Sequence, residues 1–531
     1  MPPSWLSLPT EMKFAVLDNL PYPDVASLAS VDSATYQTAV PALFHTVRLH
    51  SYDAIRRFID SVPKNYRRHI QHLDLCLLDS QRSDLLDQAQ SVASLLACCS
   101  RLESLVLRMA GSMDKAILPV FAHLPHLKVL AISNCLQDED GPVSERLVVH
   151  IAASLPNLHT LSLERISRSI LHSPDLTNSY PFIHRVINDY DIPPHPLFST
   201  QLNLPSLLLL PSLKKLSMKD IHLGDPQWDE IGPRVACQIE HLELGGCYDE
   251  SEDRNASAVQ RILKVAGQSV SELVLATPLP PTTPSTPSSS SLSLASPSFT
   301  HTLSPAYPFS LPLESEMTSS GSGSRLAPPS PPIPGSLRTH AARPTACNEL
   351  FGNLKTLRLS PFFPIHALQE TLANVASAPV HTLSLECFEM DVCEVAQALE
   401  DFLSVRVCRN ALSSSSPSLP LSAEEEEEDK DIAPFFGHLR RLEVVVIAEH
   451  GEGCAGSEGS LFWQKQLQFQ SYALKRWVGY CRDLGLVGVA RRQREGQGEE
   501  EEEEEEKEWC LDEDEGCCGE GGVDEGAEVM L

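Results

Sequence analysis

One short pattern limits the possible folds of this chain more than any other feature. It reads apolar-x-x-Leu-x-apolar and recurs ten times, with central leucines at Leu73, Leu105, Leu130, Leu161, Leu216, Leu242, Leu273, Leu357, Leu383 and Leu442. Most intervals fall between 25 and 32 residues, and the 55 residues from Leu161 to Leu216 equal about two of them. A Leu-x-Leu alternation puts both leucines on one face of a short strand and the residue between them on the other. Stretches 87–98, 144–154 and 391–402 lie between copies and carry apolar stripes at helical spacing. Pro often precedes the pattern, in LPHL, LPNL and LPSL, where it stops a helix. Neither strand nor helix can bury its face alone, so successive units must stack. The expectation is an α/β chain built as an irregular solenoid.

The pattern resembles the longer, helix-containing kind of leucine-rich repeat. That family places Asn or Cys three residues after the last strand residue. Cys135 and Cys247 fill that place; Ala110, Ile166, Ile221, Phe362 and Phe388 depart from it. Residues 462–481 form an amphipathic stretch with Trp463 and Trp477, and an apolar run at 484–489 follows. Both are expected to cap the last repeat.

Two segments interrupt the array. Residues 277–346 hold fifteen of the chain's 41 prolines among long Ser/Thr runs. Residues 405–433 are Ser-rich, then acidic. Neither composition can build a core, so both are expected to be disordered. Six Ser/Thr-Pro steps, at Thr277, Thr283, Thr286, Ser296, Ser304 and Ser330, have the form that proline-directed phosphorylation requires. The expected organisation is 1–48, an amino-terminal module; 49–276, repeats; 277–346, a disordered insertion; 347–490, repeats with their cap; 491–531, a disordered acidic tail.

Charge and motif content exclude several classes of function. The net charge is −30, of which residues 495–531 carry −17 and residues 424–431 carry −6. No positive face remains for nucleic acid or an anionic membrane. No leader or membrane-spanning stretch is read, so the fifteen cysteines are expected to be reduced, in a cytoplasmic and/or nuclear setting. They form no CxxC pair, and no Cys/His cluster points to a metal. GxSxG, GxxxxGK[ST] and HExxH are missing from the sequence, and neither an enzyme nor a cofactor is expected.

Residues 6–49 stand apart from the repeats. Pro9 and Glu11 open a first helix carrying Met12, Ala15, Val16, Leu17 and Leu20; Leu20-Pro21 ends it. Asp24 is placed to cap a second helix with Val25, Leu28 and Val31, and a third is expected over 33–40, ending at Pro41. The order Leu8-Pro9-Thr10-Glu11, Leu20-Pro21, Asp24 and Val25-x-x-Leu28-x-x-Val31 resembles an F-box of the fungal F-box/leucine-rich-repeat kind. The Arg that usually follows is absent from Asp32-Ser33-Ala34-Thr35-Tyr36.

The resemblance implies an adaptor that docks on the Skp-type subunit of a cullin ubiquitin ligase, with the repeats holding an unknown protein substrate. Carried over to this chain, the docking set is Leu8, Pro9, Glu11, Leu17, Leu20, Val25, Leu28 and Val31. A second reading stays open, in which these helices only cap a repeat scaffold that has no ligase role. The candidate substrate surface is the outward face of the strands, including Arg108, Glu164, Lys219, Glu243, Arg358 and Glu386.

Overall fold

The computed structural model describes residues 5–77, 85–109, 113–135, 143–169, 171–172, 189–229, 231, 237–246, 252–279, 351–375, 378–388, 391–414, 438–448, 476–478, 481 and 487–494. The expected insertion beyond residue 279, most of the second loop, Cys247, Trp463 and the tail beyond 494 lie outside these residues. Three helices open the chain: α1 Thr10–Leu17, α2 Tyr22–Ala29 and α3 Ser33–Leu43. The strands that follow are β1 Thr46–Leu49, β2 His72–Leu77, β3 Ser104–Met109, β4 Val129–Asn134, β5 Val143–Ser144, β6 Thr160–Glu164 and β7 Ile166–Ser167. After them come β8 Lys215–Ile221, β9 His241–Gly246, β10 Glu272–Leu275, β11 Thr356–Leu359, β12 Thr382–Phe388, β13 Arg441–Ala448 and β14 Val487–Arg494. Intervening helices are α4 Tyr52–Ser61, α5 Lys64–Arg67, α6 Leu85–Leu96, α7 Leu118–Phe121, α8 Glu145–Ala153, α9 Glu252–Ala266, α10 Leu368–Asn374 and α11 Val392–Ser414.

Twelve strands form one parallel sheet in chain order, from β1 to β14; β5 and β7 pair separately. The register makes the repeat physical. Val47 aligns with Leu73, Leu73 with Leu105, and so on through Leu383 and Leu442 to Gly488. The central leucines are buried and join the inner faces of α6, α8, α9 and α11 in one continuous core. Two units are also tied laterally to the one before: Asn157 Nδ2 donates to the Pro125 carbonyl at 2.8 Å, and Asn353 Nδ2 to that of Gln268 at 2.6 Å.

The helices read at 87–98, 144–154 and 391–402 correspond to α6, α8 and α11. Ser144 caps α8 by accepting from the Arg146 N–H. Several local expectations need correction. Asp24 lies in the first turn of α2, which starts at Tyr22 behind Pro21. α3 runs through Pro41 to Leu43, one turn beyond the expected stop. Cys135 is exposed, while its neighbour Asn134 is buried. Two strands lack the written pattern. β1 places Val47 where a leucine was sought. β14 places Gly488 there, because a Cβ at that position would lie 2.9 Å from Cys481 Cβ. β14 thus runs four residues past the 490 boundary, and β1 straddles the 48/49 boundary.

The double interval holds no hidden unit of the large sheet, since β6 pairs directly with β8. A buried polar network anchors the excess chain instead. Arg168 Nε donates to Glu145 at 2.7 Å, its Nη2 donates to Asp225, and its Nη1 donates to the carbonyls of His222 and Gly224. Glu145 also accepts from the N–H groups of Ser169 at 2.7 Å and Leu204 at 3.3 Å. The Ser144 and Ser169 hydroxyls donate to Asp189, whose carboxylate lies 3.9 Å from Arg146. Burial pushes the Glu145 carboxyl up to about 7 against the pull of Arg168. Burial also draws Arg168 down, but Glu145 and Asp225 outweigh it and keep the guanidinium charged.

Candidate docking surface

α1 and α2 both pack on α3, and their side chains build a core separate from that of the sheet. Its buried members are Leu17, Val25, Ala29 and Ala39; Trp5, Leu20, Leu28 and Tyr36 pack around them half-buried. Polar contacts fix the helix junctions. The Asp32 carboxylate accepts from the Thr35 N–H and hydroxyl, both at 2.8 Å, and these bonds hold its pKa below the usual range. Trp5 Nε1 donates to Thr35 Oγ1 at 3.1 Å. An aromatic row joins this module to the first repeat: Tyr36 stands edge-on to Tyr66 at 6.1 Å, and Phe44 lies 5.6 Å from the same ring.

The eight residues of the expected docking set divide by environment. Leu17 and Val25 are buried within the module; Leu8, Leu20 and Leu28 are half-buried; Pro9, Glu11 and Val31 are exposed. The most exposed apolar side chains include residues outside that set. Met12 is 54% and Val16 41% exposed, one helical turn apart on α1, with exposed Ala15 between them on the face away from Leu17. Tyr22 is 66% and Val31 69% exposed. The periodicity of α1 is visible in the sequence. The side it buries is not, because apolar residues occupy both faces.

The outward face of the sheet shows a different chemistry. Arg108 pairs with Asp74 at 2.8 Å, Lys219 with Glu243 at 2.9 Å, and Arg358 with Glu386 at 2.7 Å. Glu164 accepts from the Ser133 hydroxyl at 2.9 Å. All six candidate substrate-surface residues therefore meet a partner on an adjacent strand. Among the described residues no group of three or more His, Cys, Asp or Glu is placed to hold a metal ion. No helix among them is long and apolar enough to cross a membrane. Thr277, one of the six Ser/Thr-Pro residues, is buried and so closed to a kinase in the folded chain. The other five lie outside the described residues.

No protein-family model matches the chain, and no curated protein matches it.

Proposed function

We propose that the chain is a substrate-recognition adaptor of a ubiquitin ligase. In this reading α1–α3 are an F-box that docks on a Skp-type subunit, and through it on a cullin. The stacked units are a leucine-rich-repeat solenoid that holds a protein substrate, and the transfer chemistry belongs to the partner enzyme. One observation carries the reading. Among the described residues, five of the thirteen exposed large hydrophobic side chains fall between Met12 and Val31, in the smallest packed part of the chain. An uncovered apolar stripe on a helix is the form that helix-in-groove recognition uses, with a few anchors dominating the affinity.

The scaffold reading draws on the aromatic contacts of Tyr36 and Phe44 with Tyr66, which tie the module to the first repeat. Co-purification of the full chain with a Skp-type subunit separates the two. The adaptor reading expects a complex that Met12→Asp with Val16→Asp weakens by about thirtyfold or more, as loss of a hot spot does. Both side chains are exposed, so circular dichroism and the thermal midpoint should stay unchanged. Failure of the unaltered chain to associate would leave the scaffold reading standing.

A further inference from the structure

β11 and β12 begin in register but end differently. Thr356 to Leu359 align with Thr382 to Leu385, and β12 then continues through Glu386, Cys387 and Phe388. On its other side β12 pairs with β13 as far as Phe388 and Ile447. The chain leaves β11 in a tight turn: the Ser360 N–H donates to the Leu275 carbonyl at 2.8 Å, and the Phe363 N–H to the Ser360 carbonyl at 2.9 Å. The unmatched end of β12, this turn and the start of α11 line a cavity of about 320 Å³. That size lies within the range of ligand sites.

Its lining is divided. Leu359, Leu368, Leu385 and Val395 are buried and form an apolar floor. Glu386, Asp391 and Glu394 add three carboxylates. Among the described residues no lysine or arginine lines the cavity; His366 and the buried Cys387 are its other titratable side chains. Arg358 Nη2 donates to Glu386 at 2.7 Å and neutralises that acid from the sheet. Asp391 and Glu394 meet no described cation. Burial and the charge of Glu394 push the Asp391 carboxyl above its ordinary range, and a cation entering the cavity would offset both. Next to the lining residues in sequence, Phe362 is 54% exposed, and its ring stands 5.3 Å from that of Phe388.

We propose that this cavity takes an arginine side chain presented by a partner protein. The apolar floor suits the methylene stem, the carboxylates suit the guanidinium fork, and the aromatic pair offers the cation a face to stack on. Lysine fits less well, because its compact ammonium keeps its water and neither forks nor stacks. Acids at a helix start also complement the helix dipole, a role that would show in stability and not in binding. The assignment rests on the array holding a protein partner, a premise that the adaptor and scaffold readings share, and it needs no Skp-type subunit.

Fluorescence anisotropy of the full chain with labelled heptapeptide pools tests it. The pools carry a central arginine, or its uncharged analogue citrulline, between mixed flanking residues. The arginine pool should bind about tenfold more tightly or better. Other acidic parts of the chain attract cations too, so the decisive comparison is with Asp391→Asn combined with Glu394→Gln. That variant should lose the preference for arginine while its thermal midpoint reports a folded chain. Phe362→Ala, at an exposed position, should weaken arginine binding about threefold and keeps the test open if the double variant unfolds. Absence of binding, equal affinity for the two pools, or equal preference in the unaltered and double-variant chains overturns the proposal. Free arginine competing as well as the peptides would make this a small-molecule site and overturns it too. None of these outcomes bears on association with a Skp-type subunit, so the two readings fail separately.

Discussion

The helical module and the strand array solve the same problem in opposite ways. In the array each inner strand meets a neighbour on both sides, and the leucine rows merge into one core that runs from Val47 to Cys481. The module's own cluster has four buried apolar side chains, and Met12, Val16, Tyr22 and Val31 stay in solvent. A bundle of that size buries too little to be robust alone, and it leans on the first repeat through Tyr36 and Phe44. Stacking makes a chain self-sufficient along its length. The short helical bundle instead keeps apolar side chains in solvent.

Substitutions should separate the two regions sharply. The largest effect belongs to the array. Arg168→Ala leaves Glu145 and Asp225 buried without their cation, and loss of one partner from such a cluster costs about 3–5 kcal/mol. Urea unfolding monitored by circular dichroism should show that loss. A change below about 1 kcal/mol would mean that water reaches the cluster.

Next come paired core truncations. Leu216→Ala in the middle of the sheet should lower global stability by about 2–4 kcal/mol, through lost burial and a cavity. Leu17→Ala should instead open the module alone, with fast amide exchange over residues 10–43 and an unmoved main transition. Should Leu17→Ala shift the main transition as far as Leu216→Ala does, the two regions form one cooperative unit and the contrast collapses.

The network under the long β6–β8 connection predicts a pH response of its own. Burial lowers His172 to about 4, in the field of Arg146, Arg168, Asp225 and Asp189. Its contribution is complete above the unfolded value of 6.5 and is lost as pH falls toward about 4. Glu145, raised to about 7, acts in the other direction: its contribution is complete below 4.5 and is lost as pH rises through about 7. The two slopes oppose each other between pH 4.5 and 6.5 and partly cancel, while His69, His72, His150 and His195, also lowered by burial, act in the direction of His172. His172→Gln removes one slope. Relative to the unaltered chain, its stability should then fall with rising pH by up to about 1.4 kcal/mol per unit, less where solvent screens the group. A profile of His172→Gln parallel to that of the unaltered chain denies His172 its lowered value.

The sequence revealed the array because period-2 alternation inside a longer period leaves few alternatives. Ten of the twelve strands in the large sheet carry the written pattern. The other two obey the same geometry with a different residue: Val47 fills the leucine position in β1, and Gly488 fills it in β14, where Cys481 comes close. The charge network was illegible, because Glu145, Arg168, Asp189 and Asp225 share no spacing and meet only in the folded chain. The module was half legible. Its helices follow from proline and acid placement, but a helix with apolar residues on both sides does not announce which one it buries. Leu17 turned inward and Met12 outward.

The smallest expected effect bears on the outward face, where the array differs most from the module. Arg108 of the Arg108–Asp74 pair is half exposed, so a double-mutant cycle with Ala at both positions should give a coupling of about 0.2–1 kcal/mol that weakens at high salt. A pair this weak adds little to stability, but it does occupy the charges. A substrate that recruits Arg108 must first displace Asp74, so Asp74→Ala should tighten binding of an acidic partner segment while Arg108→Ala weakens it. If both substitutions leave partner binding unchanged while the coupling persists, the cross-strand pairs only hold neighbouring units in register, and recognition lies elsewhere on the chain.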